Sequence, residues 1–349
     1  MSTEDDLALQ RELLDGVSRT FALTIPALPD RLERVVGNAY LLCRITDTIE
    51  DAADLEPGAQ AEFCERFISL VKGEGNAGSF ARDFFPHLAE HANADEQRLI
   101  RETPRVLAVT ARFSAEERAA LGDCVAVMAR GMAAFQRKKS VAGLADLADH
   151  AEYCYVVAGC VGEMLTRLFI ESLPELAPRR DELRRLAISF GQCLQMTNIL
   201  KDFWEDRANG ACWLPRDIFL EEGLDLADVE PGDPRFARAY KRLLAILREH
   251  DDNSLTYILT LPARETQLRN FCLWALYMAL LTQRKLLANL DFAHGAEVKI
   301  SRRSVRLSVA WSRFAADKDS ALRASYALLA RGLPQAESVE ADTPAGAVR

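Results

Sequence analysis

The sequence contains no C-x-x-C pair, although eight of its 349 residues are cysteine. Cys43, Cys64, Cys124, Cys154, Cys160, Cys193, Cys212 and Cys272 are scattered, mostly within apolar stretches. That excludes a disulfide framework and reads as reduced core cysteine. The opening "MSTEDDLALQ" has no apolar h-region, so no signal peptide is expected. No apolar run approaches the roughly 20 residues of a membrane span; the longest candidate, Asn270 to Thr282, is closed by Arg269 and Arg284. Basic residues are the minority, 43 against 52 acids, and a net charge of −9 argues against a general nucleic-acid binder. A hydrophobic content of 49% excludes a disordered chain and suffices for a sizeable core. The expectation is a soluble, cytoplasmic protein, with peripheral contact at the inner face of a membrane left open.

Alternating strand patterns and fixed-period repeats are missing as well. What is present is helical periodicity, which predicts helices at about 29–54, 58–72, 114–139, 144–172, 179–209, 234–261, 263–290 and 301–331. Pro29 can open the first and Gly210 can close the fifth. "SAEE" at Ser114–Glu117 fits a capping box. Such lengths predict an all-α helical bundle. Loops at 73–79, 210–217 and 223–234 do not divide the composition, so residues 1–333 read as one domain. The remainder, 334–349, lacks large apolar residues and is expected to be disordered.

Two strings tempt and are better refused. "GEGNAG", Gly73 to Gly78, fits a dinucleotide-binding fingerprint but follows a helical pattern instead of a strand, so an interhelical loop is the better reading. "HLAEH", His87 to His91, fits an inverted zinc-protease string, but no further ligand motif accompanies it; an ordinary polar helix face is the better reading.

Two acidic stripes carry chemistry. In "NILKDFWED", Asn198, Asp202 and Asp206 recur every four residues and share one helical face. In "DTIED", Asp47 and Asp51 do the same, with Glu50 beside them. A solvated acidic face would explain either alone. Their flanks, "NAYLLCRI" and "CLQMTNIL", are apolar on several faces, which suggests two largely buried helices serving one interior site. Carboxylate and amide oxygens are hard ligands that suit Mg²⁺ and, through it, a diphosphate. Ser18, Arg19 and Thr20 in "VSRTF", with Arg44 one turn and Tyr40 two turns before Asp47, offer direct phosphate donors. For Arg44 the competing reading is a salt bridge to Asp47 or Asp51.

With these residues in view, the sequence resembles the head-to-head trans-isoprenyl diphosphate synthases, the squalene and phytoene synthases. "VSRTFA", "YLLCRITDTIED", "EYCYVVAGCVGEMLTRLF" and "QMTNILKDFWEDRANGACWLP" stand in the family's order and cover about 15–310. Paired aspartate motifs alone would also fit terpene cyclases; the Tyr-Cys-x-x-Val-Ala-Gly block is specific to the head-to-head branch. "NFCLWALYMALLT" and "EVKISRR" resemble its squalene side. Unlike eukaryotic members, the sequence shows no C-terminal anchor, and so looks like a soluble bacterial form.

The resemblance implies an all-α isoprenoid-synthase bundle with a central cavity. It implies Mg²⁺-dependent joining of two farnesyl diphosphate molecules to presqualene diphosphate, then NADPH-dependent reductive rearrangement to squalene, a hopanoid or sterol precursor. Phytoene, dehydrosqualene or hydroxysqualene synthesis is the neighbouring activity; a non-catalytic prenyl-diphosphate-binding protein is the alternative of another class. It further implies that Asp47, Glu50 and Asp51 form a first metal site and Asn198, Asp202 and Asp206 a second. Ser18, Arg19, Tyr40 and Arg44 would contact diphosphate, and Gln195 would face the site. Tyr153 would act in catalysis, against the plainer reading of a packed core tyrosine. Lys201 and Lys299 would bind diphosphate or NADPH phosphate. Phe21, Leu165 and Phe169 are candidates for an apolar tunnel, against the plainer reading of core.

Overall fold

A computed structural model describes residues 3–18, 21–52, 55–88 and 92–335. It is all-α: among the described residues the only β feature is an isolated bridge between Leu144 and Pro215. The chain divides into two compact units, residues 1–137 with 160–184, and residues 138–159 with 185–349.

In the first unit, Ala115–Gln136 is the central helix, packed by Asp30–Glu50, Pro57–Val71 and Cys160–Ser172. Its start is the expected capping box: Ser114 Oγ accepts from Glu117 N at 3.1 Å, and Ser114 N donates to Glu117 Oε2 at 2.8 Å. Leu41, Ile45, Phe67, Phe80, Phe84, Leu121 and Phe169 form the core. Phe169 is therefore core, while Phe21 is 37% exposed. "GEGNAG" is an interhelical loop as far as the Asn76 cap, and its last two residues, Ala77 and Gly78, open the helix Ala77–Phe84. "HLAEH" begins in the short turn Phe85–Leu88; its residues 89–91 lie outside the described residues.

In the second unit, Pro234–Thr260 packs on Thr266–Ala288, against which Arg302–Ala315 and Asp319–Leu329 also lie. The predicted helix 301–331 is therefore two. Buried Arg269 explains the break: its guanidinium donates to Leu261 O at 2.6 and 3.0 Å, to Ala316 O at 3.0 Å and to Asp319 Oδ1 at 2.7 Å. A carbonyl captured by a buried cation need not continue a helix, and no Gly or Pro marks the place. The predicted segment 144–172 also differs. It starts at Leu147 behind the Asp146 cap and contains a π-helical turn at Tyr155–Gly159.

All eight cysteines are buried free thiols. Among the described residues one helical run, Leu147–Ser172, is long and apolar enough by length and composition to cross a membrane, where the sequence predicts none; 56% of its most apolar window is buried in the protein. Thr3–Val17, Ala94–Arg101 and Thr103–Thr110 are further helices of the first unit. Of the tail, residues 336–349 lie outside the described residues.

Candidate active site

The first acidic stripe stands on Asp30–Glu50, which starts after Pro29 with Asp30 and Glu33 in its first turn. Acids there complement the helix dipole. Leu41, Leu42, Ile45 and Ile49 are buried, so the opposite line of Tyr40, Arg44, Asp47 and Asp51 is the polar face. Tyr40 packs on Phe21 with ring centroids 5.2 Å apart. Burial raises the Tyr40 phenol, and a hydrogen bond with Ser18 opposes the shift. Ser18, Phe21, Tyr40 and Arg44 are thus gathered along one line. Arg19 lies outside the described residues.

Arg44 is held mainly by a residue no motif pointed to. Its Nη2 donates to Glu96, while Nη1 is 3.7 Å from Asp47 Oδ2. Its Nε is buried without a hydrogen-bond partner among the described residues. Glu96 also accepts from Asn93 N at 3.0 Å, closing the capping box of Ala94–Arg101. Asp47 is pushed up to about 7 by burial; Arg44 opposes this, while Asp51 and Glu96 add to it. Glu50 accepts a hydrogen bond from Gln136, and the end of its helix is held by Gln60 Nε2, which donates to Glu50 O at 2.8 Å.

The second stripe stands on the long helix Arg180–Ala208. Asn198 is exposed; Gln195, Asp202 and Asp206 are partly buried. The apolar residues of "NILKDFWED" form the helix's other face, where Ile199 and Leu200 are buried. Phe203 is buried, with Phe236 at 5.0 Å and Trp204 at 4.8 Å between ring centroids. Tyr240 donates to Leu200 O. Lys201 Nζ lies 2.9 Å from Asp202 Oδ2. Burial, then Asp202 and Glu205, push Asp206 up to about 6, with Lys139 and Lys201 opposing. Gly210, at φ +77, takes the left-handed conformation that stops the helix, and Ala211 N returns to Asp206 O at 2.9 Å.

Lys299 is exposed, and the turn before it is tied to the same helix: Gly295 N donates to Glu205 Oε1 at 2.8 Å, one turn from Lys201. A side chain on Gly295 would meet Lys201 O at 3.0 Å. Tyr153 is buried and stacked on Trp213, centroids 4.3 Å apart and planes 10° apart. His150 Nδ1 is 2.7 Å from Trp213 O, fixing that indole's backbone. Beyond Tyr153 the π turn meets Gly191, where any Cβ would lie 2.3 Å from Ala158 O. π turns inside helices often mark functional segments.

Among the described residues, no three His, Cys, Asp or Glu side chains converge as a ready-made metal cage. The donor chemistry still fits Mg²⁺, which keeps waters and binds through one or two carboxylates plus substrate phosphates. Glu96, Gln136, Trp213, Glu205 and Lys139 are the site-adjacent residues that motif reading missed. Only Glu205 and Trp213 carried a signal, both inside the quoted "QMTNILKDFWEDRANGACWLP".

Comparison with known proteins agrees with this all-α arrangement. The squalene/phytoene synthase family model matches residues 14–304, and the chain belongs to that family. The squalene synthase of Eremothecium gossypii is 28% identical over 296 residues, 82% of this chain and 64% of that protein. Squalene synthase BSS of Botryococcus braunii is 31% identical over 240 residues, 64% of this chain and 46% of that protein. The chain thus spans less than two thirds of the length of these relatives. A solved complex of TcSQS with the ligand BPH1237 is 25% identical, with a TM-score of 0.74 over 97% of this chain and 96% of that one.

Proposed function

We propose that this protein is a squalene synthase, joining two farnesyl diphosphates head to head and reducing the product to squalene. The observation that carries the reading is the presence of both complete acidic stripes, each on a helix whose other faces are buried. Asp47, Glu50 and Asp51 would hold Mg²⁺, as would Asn198, Asp202 and Asp206. Bound there, Mg²⁺ supplies positive charge to a departing diphosphate, and NADPH supplies the hydride that completes the second half-reaction.

The chain's own residues do the rest. Ser18, Tyr40, Arg44 and, outside the described residues, Arg19 orient diphosphate oxygens by charge-assisted hydrogen bonds. Gln195 faces the substrate. Lys201 and Lys299 bind phosphate of the diphosphate or of NADPH. The hydroxyl of Tyr153 takes or relays the proton lost when presqualene diphosphate forms, while stacking on Trp213 fixes its ring. Apolar surface contributed by Phe21 and Leu165 keeps water from the allylic cation. We read residues 1–333 as one catalytic domain. The enzyme works in the cytoplasm and delivers its apolar product at the inner face of a membrane.

Incubation with farnesyl diphosphate, Mg²⁺ and NADPH, followed by mass spectrometry of the apolar extract, tests this. Squalene is expected; without NADPH, presqualene diphosphate or its rearranged alcohols should accumulate. Squalene yield indifferent to NADPH, or a C40 product dominating from a longer substrate, overturns the assignment. Dehydrosqualene or hydroxysqualene as the end product with NADPH present would place the protein on the neighbouring branch.

A further inference from the structure

We propose that the helix Arg302–Ala315 seats this protein on an anionic lipid bilayer. Its inner side is fixed: Ser312 and Ala315 are buried, and Trp274 Nε1 donates to Ser312 Oγ. Its outer side leaves Leu307 61%, Trp311 44% and Phe314 61% exposed. These three fall at i, i+4 and i+7, one continuous face. Trp311 and Phe314 pack with ring centroids 5.6 Å apart and planes tilted by 46°, so the face presents a preformed aromatic ridge.

Charge names the occupant. Residues 299–318 hold six basic side chains, Lys299, Arg302, Arg303, Arg306, Arg313 and Lys318, against one acid, Asp317. That local excess of five positive charges sits in a chain of net charge −9. On helical spacing Arg303 continues the apolar ridge, and Arg302, Arg306 and Arg313 line its flank. Arg302, Arg303, Arg306 and Arg313 are all exposed. At a two-fold contact a second copy would set this arginine-bordered face against itself, like charge on like. A bilayer suits the face: indole and phenyl rings enter the acyl boundary while guanidinium groups meet lipid phosphates. The inference rests on the squalene reading only for its purpose, delivery of a water-insoluble product.

The test uses no substrate, so it stands or falls apart from the activity assay. The full chain is floated with vesicles of phosphatidylcholine alone and of equal phosphatidylcholine and phosphatidylglycerol. Binding to the mixed vesicles only, weakened by salt, is expected. Arg303→Gln with Arg306→Gln should cut partitioning about fivefold per arginine. Leu307→Ser with Phe314→Ser should cut it further without lowering the melting temperature, since both side chains are exposed. The proposal is overturned if the mixed vesicles bind nothing, or if the Leu307→Ser, Phe314→Ser protein binds as well as wild type. It is equally overturned if light scattering shows a wild-type dimer that this variant dissolves, because a second copy would then cover the face.

Discussion

The two helices that carry the acidic stripes are pinned from behind by buried polar networks of different kinds. Behind the first, Asn38 is fully buried and fully used: Nδ2 donates to Val106 O at 3.0 Å and to Gln10 at 3.1 Å, and Oδ1 accepts from Thr110 at 2.7 Å. Every member is neutral. Behind the second, Cys193 and Thr197 meet a carboxyl. Asp251 Oδ1 accepts from Cys193 Sγ at 3.1 Å and from Gln283 Nε2 at 3.0 Å, and Gln283 also reaches Thr197 at 3.2 Å. Asp251 Oδ2 has no hydrogen-bond partner among the described residues, and burial pushes this acid up to about 7. One anchor is indifferent to pH; the other holds a proton in the folded state that the unfolded chain would release. The same demand, a stripe held still, has been met once with an amide and once with an acid.

The largest effect should come from the stripes themselves. Asp47→Asn and Asp202→Asn each remove a formal charge from a proposed ligand set, and turnover should fall about a thousandfold. Asp202 is partly exposed and Asp47 carries a charge that burial disfavours, so neither substitution should lower the melting temperature. If only one substitution is damaging at limiting Mg²⁺, the two stripes are not equivalent and the two-site reading fails.

The anchors themselves can be broken separately. Asn38→Ala strips three buried groups of a partner and should cost about 2–4 kcal/mol, equally at all pH values. Asp251→Asn should behave in the opposite way. Between the unfolded carboxyl's 3.8 and the folded value of about 7, the native state binds the extra proton, so wild-type stability falls as pH rises through that window. The variant lacks this slope and should gain on wild type from pH 4 to 7, then hold a constant lead. Denaturant midpoints measured across that range decide it; parallel curves would show that Asp251 is charged in the folded protein.

Next in size is Tyr153→Phe, which keeps the ring on Trp213 and removes only the hydroxyl. First-step turnover should drop roughly a hundredfold if the hydroxyl moves the proton. Packing alone predicts tolerance. The rate and melting temperature of the variant are measured together; a normal rate removes Tyr153 from the mechanism.

How far the sequence discloses such arrangements depends on where the partners lie along it. The stripes, the Ser114 box, the Gly210 stop and the grouping of Tyr40 with Arg44 rest on neighbours within a turn or two, and helical periodicity exposes them. The Arg302–Leu329 break was hidden because its cause, Arg269, lies far upstream and no breaker residue stands at Ala316. The π turn was hidden because "YVVAG" has ordinary helical composition; the contact that accompanies it is Gly191, on another helix. Asn38 and Asp251 read as stray polar residues until their partners on other helices are in view.

Glu96 is the sharpest case, and its removal is the smallest effect worth measuring. In the second stripe the cation beside Asp202 is its sequence neighbour, Lys201. In the first, Arg44 is claimed by Glu96, fifty-two positions away, more closely than by Asp47 one turn on. Glu96→Gln keeps the size and the hydrogen bond to Asn93 N, since glutamine serves equally in a capping box. It removes one negative charge from the guanidinium. Arg44 should then bind inorganic pyrophosphate about threefold more tightly in the absence of Mg²⁺, the scale of a partly exposed ion pair. Calorimetric titration gives the sign. Weaker binding would mean that Glu96 aims Arg44 and does not compete with the anion. Unchanged binding would mean that Arg44 does not touch diphosphate, and its place in the first stripe would be purely structural.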